Sequence, residues 1–213
     1  MHTRMASDIQ SAPFVPQITR YQSWLAENRG LNFDSYDALW RWSTTEIEAY
    51  WQSIWDYFDI QSPTPHHTVL AENVMPGARW FPGAQLNYAQ QALRHQAEAD
   101  AAGCPAFICD DERGNRRELS WSQLQLQVAA LATHLKAQGV APGDRVVAYL
   151  PNTPEAAVAF LAVVSIGAVW SICSPDMGDK AVLDRFAQIE PKAFIACQGV
   201  YYAGKTLDRA VVA

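Results

Sequence analysis

Eighteen consecutive residues, 156–173, carry no charged side chain. An apolar segment of that length either crosses a bilayer or is buried on every side inside a protein. Its punctuation decides between the two. Thr153-Pro154-Glu155 just upstream is a helix start: a threonine suits the N-cap, and proline at the first helical position gives up an N–H that has no partner there. Ser165-Ile166-Gly167 then supplies a stop, and Val169-Trp170-Ser171-Ile172-Cys173 reads as a strand. A buried helix followed by a buried strand explains the same letters, because parallel sheets covered on both faces produce continuous apolar runs. No membrane partner is expected.

The flanking sequence keeps that rhythm. Ala106-Phe107-Ile108-Cys109 is a short strand, residues 110–115 a polar turn containing Gly114, and residues 116–119 the returning strand of a hairpin. Ser120-Trp121-Ser122-Gln123 is a capping box, opening a helix with Leu124, Val128, Leu131 and Leu135 on one face and Gly139 at its end. A strand is predicted at 144–150, a helix at 154–166 and a strand at 168–173. A helix at 180–189 turns Val182, Leu183, Phe186 and Ile189 inward, and a strand follows at 192–197. This alternation means βαβ units, so the fold class is α/β with helices on the faces of a parallel sheet.

The first hundred residues differ in kind. Six of the eight tryptophans fall within the first eighty positions. Thr45-Glu46-Ile47-Glu48 reads as a capping box, and Ile47, Tyr50, Trp51, Ile54, Trp55 and Phe58 then follow at helical spacing. Such an aromatic stripe is read as a face packed on another domain rather than a ligand surface. Ser62-Pro63-Thr64-Pro65-His66-His67 is a loop, its prolines blocking regular structure and its histidines surface residues. The expected organisation is therefore a helical, aromatic-rich region over residues 1–100 and an α/β region over 101–213.

Charge and cysteine content narrow the function classes. The 213-residue chain has a net charge of −6; residues 1–100 carry 6 Arg, no Lys and 11 acids, and residues 101–213 carry 10 basic and 11 acidic groups. No basic stripe is available to neutralise a phosphate backbone, so no nucleic-acid partner is expected. The four cysteines form no C-x-x-C pair and have no histidine at ligand spacing, so neither a metal site nor a disulfide scaffold is expected. Cys173 and Cys197 end apolar runs, as small core residues do. The N-terminus lacks the apolar core of a secretion signal, which points to the cytoplasm.

Near the end stands Gly199-Val200-Tyr201-Tyr202-Ala203-Gly204-Lys205-Thr206, a literal match to G-x-x-x-x-G-K-[ST]. Strand, loop and helix are expected around it in the order a nucleotide hydrolase needs. The loop interior argues against that reading. A phosphate cradle needs bare, convergent N–H groups, and Val-Tyr-Tyr-Ala is bulky with no central glycine. The strands also end in Leu150-Pro151-Asn152 and Cys173-Ser174-Pro175, without the acid that would hold Mg²⁺.

Longer blocks carry a resemblance. Gly143-Asp144-Arg145-Val146 through Asn152-Thr153-Pro154-Glu155, continuing to Gly167-Ala168, resembles the adenylate-forming acyl-CoA synthetases. Trp80-Phe81-Pro82-Gly83-Ala84-Gln85-Leu86-Asn87 is similar to the block preceding the large domain in their acetyl- and acetoacetyl-CoA branch. Ser171–Gly178, Val182–Phe186 and Gln188-Ile189-Glu190-Pro191 are most similar to the acetoacetate-activating members. The resemblance implies the start of the family's large N-terminal domain, with acetoacetate, ATP and CoA as small-molecule substrates and Mg²⁺ as cofactor. It also implies that Gly199–Lys205 borders the CoA nucleotide, making Lys205, Gly204 and Tyr201 the candidate CoA-binding residues.

The family's Ser/Thr/Gly-rich phosphate loop, adenine-contacting motifs and catalytic lysine have no counterpart here. No catalytic or metal-binding residue is therefore assigned, and the chain reads as the opening portion of such an enzyme, inactive alone, with neither ATP, CoA nor Mg²⁺ expected to bind tightly to it. A sheet without its later strands is expected to expose an edge and self-associate. Three other readings stand beside this one: a ligase for acetate or propionate, a non-catalytic truncated product, and a P-loop NTPase. A lysine that is merely solvated also stays open at position 205.

Overall fold

The computed structural model describes residues 15–210. The chain divides after Gln85 into two compact units.

The first unit is three helices and a small ribbon: α1 (Gln17–Arg29), α2 (Tyr36–Thr45), α3 (Ile47–Tyr57), and the antiparallel pair β1 (Leu70–Glu72) and β2 (Arg79–Trp80). Gly30 ends α1 in a left-handed conformation, φ 67°, returning its N–H to Ala26. Ser35 caps α2 by accepting from the Ala38 N–H at 3.1 Å. Tyr21, Leu25 and Leu39 form the buried centre, with Trp24, Trp42 and Tyr50 packed around it. One polar contact lies inside: the Tyr21 and Ser53 hydroxyls are 2.5 Å apart, and Ser53 also donates to the Tyr50 carbonyl at 2.6 Å. Burial raises the Tyr21 phenol pKa.

Two expectations for this unit are corrected. Thr45 does not cap α3. It is the last residue of α2, and its hydroxyl donates back to the Arg41 carbonyl at 3.0 Å, so Glu46 takes the N-cap position without a side-chain bond. A threonine that reaches a carbonyl four residues back is no longer available to a following helix. The aromatic stripe of α3 also divides. Tyr50 and Ile54 pack on the α1–α2 centre, while Trp51 meets Trp80 and Trp55 meets Phe81 and His66. His66 is thus half-buried, bonded to the Gln52 side chain at 2.9 Å, whereas His67 is exposed.

The second unit opens with α4 (Tyr88–Leu93) and α5 (Gln96–Ala101). The hairpin of β3 (Phe107–Asp110) and β4 (Arg116–Leu119) is followed by α6 (Trp121–Ala137), whose Ser120–Gln123 capping box makes both bonds. Then come β5 (Arg145–Tyr149), α7 (Pro154–Ser165), β6 (Val169–Cys173), α8 (Asp179–Ala187) and β7 (Ala193–Ala196). The last elements are β8 (Gly199–Tyr202) and β9 (Lys205–Asp208).

Strands β6, β5 and β7 form a parallel sheet in that order, Arg145 opposite Val169 and Val147 opposite Phe194. The chain leaves central β5 toward one side and then crosses to the other. Side chains of β5 alternate accordingly. Val146 packs with Leu124 and Val128 of α6 and Val158 and Leu161 of α7. Val147 and Tyr149 pack with Val182 and Phe186 of α8 on the opposite face. Each such valine contributes about 1.5–3 kcal/mol over an exposed one. The uncharged run is explained in α7, where Ala162 and Val163 are fully buried. No helix among the described residues is long and apolar enough to cross a membrane.

Burial stops at the edges. Val169 and Ile172 of β6 are 50% and 42% exposed and Phe194 of β7 41%, because each strand has one unpaired side. The expected burial of the strand at 169–173 thus holds only at Cys173. Leu183 is corrected as well: it is 61% exposed on the outer side of α8.

Candidate functional site at the carboxyl ends of the sheet

In open α/β sheets ligands gather outside the carboxyl ends of the strands, where the strand order reverses. Here that place lies between β5 and β7. Tyr149 ends β5, fully buried, and its hydroxyl is shared between the Pro175 carbonyl at 3.0 Å and the Met177 carbonyl at 2.9 Å. This pins the loop after β6. Burial raises the Tyr149 phenol pKa, keeping it a donor. From the other side Arg209 donates from Nε to the Pro175 carbonyl at 2.7 Å, and its N–H bonds the Gln198 carbonyl at 2.7 Å. One arginine therefore straps the segment after β9 to the ends of β6 and β7.

The stretch that resembles a P-loop is a β-hairpin. A strand, not a helix, comes directly after its turn: residues 205–208 run back as β9 along β8, with Tyr202 opposite Lys205 and Tyr201 opposite Thr206. This corrects the expected order of strand, loop and helix. The turn residues Ala203 and Gly204 have φ of 51° and 74°, the left-handed pair that matches strand twist. Gly199 is needed for another reason, since a Cβ there would lie 2.9 Å from the Leu207 carbonyl oxygen. Both glycines of the motif thus answer to hairpin geometry.

A second turn meets the tip of this hairpin. Asp111 shapes the β3–β4 turn by accepting from the N–H groups of Arg113 (2.9 Å) and Asn115 (2.8 Å) and from the Asn115 side chain (2.8 Å). Those bonds, chiefly the one from the Asn115 side chain, lower the Asp111 pKa. The next residue, Glu112, places its carboxylate on the N–H groups of Ala203 and Gly204 at 3.0 and 3.1 Å. Arg113 lies over the Tyr201 ring, 4.1 Å from its centre. Of the three sequence-predicted residues, Gly204 is at the tip, Tyr201 lies beneath Arg113, and Lys205 projects exposed from the opposite face of the hairpin. Neither Glu112 nor Arg113 nor the Tyr149 hydroxyl was singled out from the sequence. All three act across folds of the chain that carry no local signal.

These donors can hold a phosphate: two amides at a turn, an adjacent lysine and a stacked arginine. The described residues contain no group of three or more His, Cys, Asp or Glu side chains placed to hold a metal ion. The four cysteines are free thiols; Cys173 is buried, and the half-buried Cys197 sits 3.7 Å from the Tyr149 carbonyl.

Residues 93–212 match the family described as AMP-binding enzyme, and residues 36–92 match the acetyl-coenzyme A synthetase N-terminus. The chain belongs to the AMP-binding enzymes. Among the relatives of this family member is an acetoacetyl-coenzyme A synthetase of Rhizobium meliloti, 40% identical over 90% of this chain and 29% of the relative. The acetoacetyl-CoA synthetase of Rattus norvegicus is 36% identical over 89% and 28%. The solved acetoacetyl-CoA synthetase from Streptomyces lividans superposes with a TM-score of 0.85 at 46% identity, over 92% of this chain and 30% of that one. The chain thus spans somewhat under a third of the length of the relatives it matches.

Other residues of the 143–191 block lie at the opposite end of the sheet. Asp144 accepts from the Ala141 N–H at 2.8 Å and pairs with Lys192 at 3.0 Å; the backbone bond first, then the lysine, lowers its pKa. Arg145 donates to the carbonyls of Ile189 at 2.7 Å and Glu190 at 2.9 Å. These residues join the loop ends beneath the sheet.

Proposed function

We propose that this chain is the N-terminal part of an acetoacetate–CoA ligase. By this reading the region up to residue 100 corresponds to the N-terminal region of such an enzyme and 101–213 to the start of its synthetase domain, while the compact units divide after Gln85. The observation that carries the reading is the match to acetoacetyl-CoA synthetases over nine-tenths of the chain, at 40% identity in sequence and 46% in a superposed structure. The intact enzyme joins acetoacetate to ATP, releasing pyrophosphate and forming an acyl-adenylate. The CoA thiol then displaces AMP to give acetoacetyl-CoA. ATP binds with Mg²⁺, and the free thiols suit a reducing cytoplasm.

Within that reaction the β8–β9 hairpin borders the CoA nucleotide, with Gly204, Tyr201 and Lys205 at the contact. Lys205 supplies a compact positive charge to a phosphate. Glu112 on the tip amides and the arginine strap at Pro175 support this placement, since both organise the carboxyl end of the sheet.

The test is made on the enzyme expressed from the whole reading frame. Lys205→Ala should raise the KM for CoA roughly five- to thirtyfold, the loss of one charge-assisted contact. Acetoacetate-dependent pyrophosphate–ATP exchange should stay nearly unchanged, because adenylation does not use CoA. Lost exchange, or an unchanged KM, overturns the assignment of Lys205. The 213-residue chain alone should show no exchange above a heat-killed control.

A further inference from the structure

We propose that the paired amides at the tip of the β8–β9 hairpin are an anion site which Glu112 fills from within the chain. A phosphomonoester of the CoA class displaces Glu112, and Arg113 then serves as its second cation. This rests on the reading that the hairpin borders CoA, and it adds two residues and an exchange step to that reading.

The N–H groups of Ala203 and Gly204 belong to consecutive left-handed residues and converge on one carboxylate, at 3.0 and 3.1 Å. Convergent N–H groups of this kind are anion-binding concavities. The structure therefore contains an occupied anion site, and the occupant is the chain's own side chain. Glu112 is solvent-exposed, so its departure opens no core and its carboxylate regains water. A phosphate offers the same oxygens with more charge.

The cations stand where such a ligand needs them. Arg113 follows Glu112 in the same turn, its guanidinium carbon over the Tyr201 ring and 4.1 Å from the ring centre. A guanidinium over an aromatic ring keeps N–H groups for a bidentate contact with phosphate. Lys205 follows Gly204 and lies on the other face of the hairpin. The tip amides thus lie between a cation from each side. Glu112 competes with the ligand for the amides and is repelled by it once the ligand arrives.

The experiment uses the isotope-labelled enzyme expressed from the whole reading frame, titrated with CoA and with dephospho-CoA, which lacks the 3′-phosphate. Calorimetry gives affinity, and NMR follows the Ala203 and Gly204 amides. Glu112→Gln should bind CoA about three- to tenfold more tightly, Arg113→Ala about three- to tenfold more weakly, and Arg113→Lys in between. Dephospho-CoA should lose most of these differences. Both amide signals should move when CoA is added to the unmodified enzyme. A Glu112→Gln enzyme that binds CoA no better, with unmoved amides, overturns the exchange. If Lys205→Ala still weakens binding in that case, the CoA reading survives and only this inference fails. If no variant changes CoA affinity, both fail. Arg113→Ala leaves the Glu112 contact in place, so it tests the second cation even if Glu112→Gln misfolds.

Discussion

Arg113 and Tyr201 join two hairpins that are remote in sequence, the guanidinium carbon lying 4.1 Å from the centre of the phenol ring. At an exposed position such a contact contributes about 0.5–1 kcal/mol. That is small for the fold and large for a two-stranded ribbon, which is marginal in water by itself. Tyr201→Ala should therefore leave the global unfolding midpoint almost unmoved. Backbone amides of β8 and β9 should exchange hydrogen about two- to fivefold faster, read by NMR. Unchanged exchange there would mean that the pairing of β8 with β9 holds the ribbon without Arg113.

The two glycines of the GVYYAGKT stretch should respond differently to alanine. Gly204→Ala places a Cβ at φ 74° in open space and should cost about 1–2 kcal/mol. Gly199→Ala puts a Cβ 2.9 Å from the Leu207 carbonyl oxygen, a backbone atom that cannot step aside, and should cost more and disrupt the β8–β9 pairing. Urea unfolding with amide spectra of the hairpin checks this. A harmless Gly199→Ala would contradict the hairpin account of the motif.

Arg117 grips Glu155 with two bonds, 2.7 and 2.9 Å, tying β4 to the first turn of α7. The bonds from Arg117 hold the Glu155 carboxyl at about 2, against 4.5 for a free side chain. A depressed carboxyl pKa stabilises the fold above the unfolded value and loses that effect as pH falls through the folded one. Both side chains are more than half exposed, so water and salt screen the pair to about 1 kcal/mol or less. The stability gap between the unmodified chain and Arg117→Ala should be full above pH 4.5 and close as pH falls toward 2. A gap independent of pH would show that packing of the arginine stem, not the ion pair, makes the difference.

Tyr149→Phe removes the donor shared by the Pro175 and Met177 carbonyls while keeping the ring that packs on α8. Pro175 retains its bond from Arg209, so the loss falls mainly on Met177. Destabilisation of about 1–3 kcal/mol is expected from a buried acceptor left unmet. Calorimetric unfolding measures it, and amides of residues 174–178 should lose protection together. Neutral behaviour would show that water replaces the phenol.

The sequence by itself determined the α/β class and the alternating elements from β3 to β7. Pro154, the Ser120–Gln123 box and Gly139 mark boundaries through interactions within a few residues, and those read correctly because their partners are local. The apolar run in α7 announced burial on all sides for the same reason. Only the tertiary structure decided what Val169, Ile172 and Leu183 face: Val169 and Ile172 lie on an edge strand, and Leu183 lies on the outer side of α8. It also decided the fate of GVYYAGKT. A hairpin turn and a turn that opens a helix differ in the element after Gly204. That element is β9, held by cross-strand bonds to β8, while Glu112 and Arg113 reach the hairpin from a distant turn. Letters fix local conformational preference. The meeting of two remote turns is a property of the packed sheet that carries them.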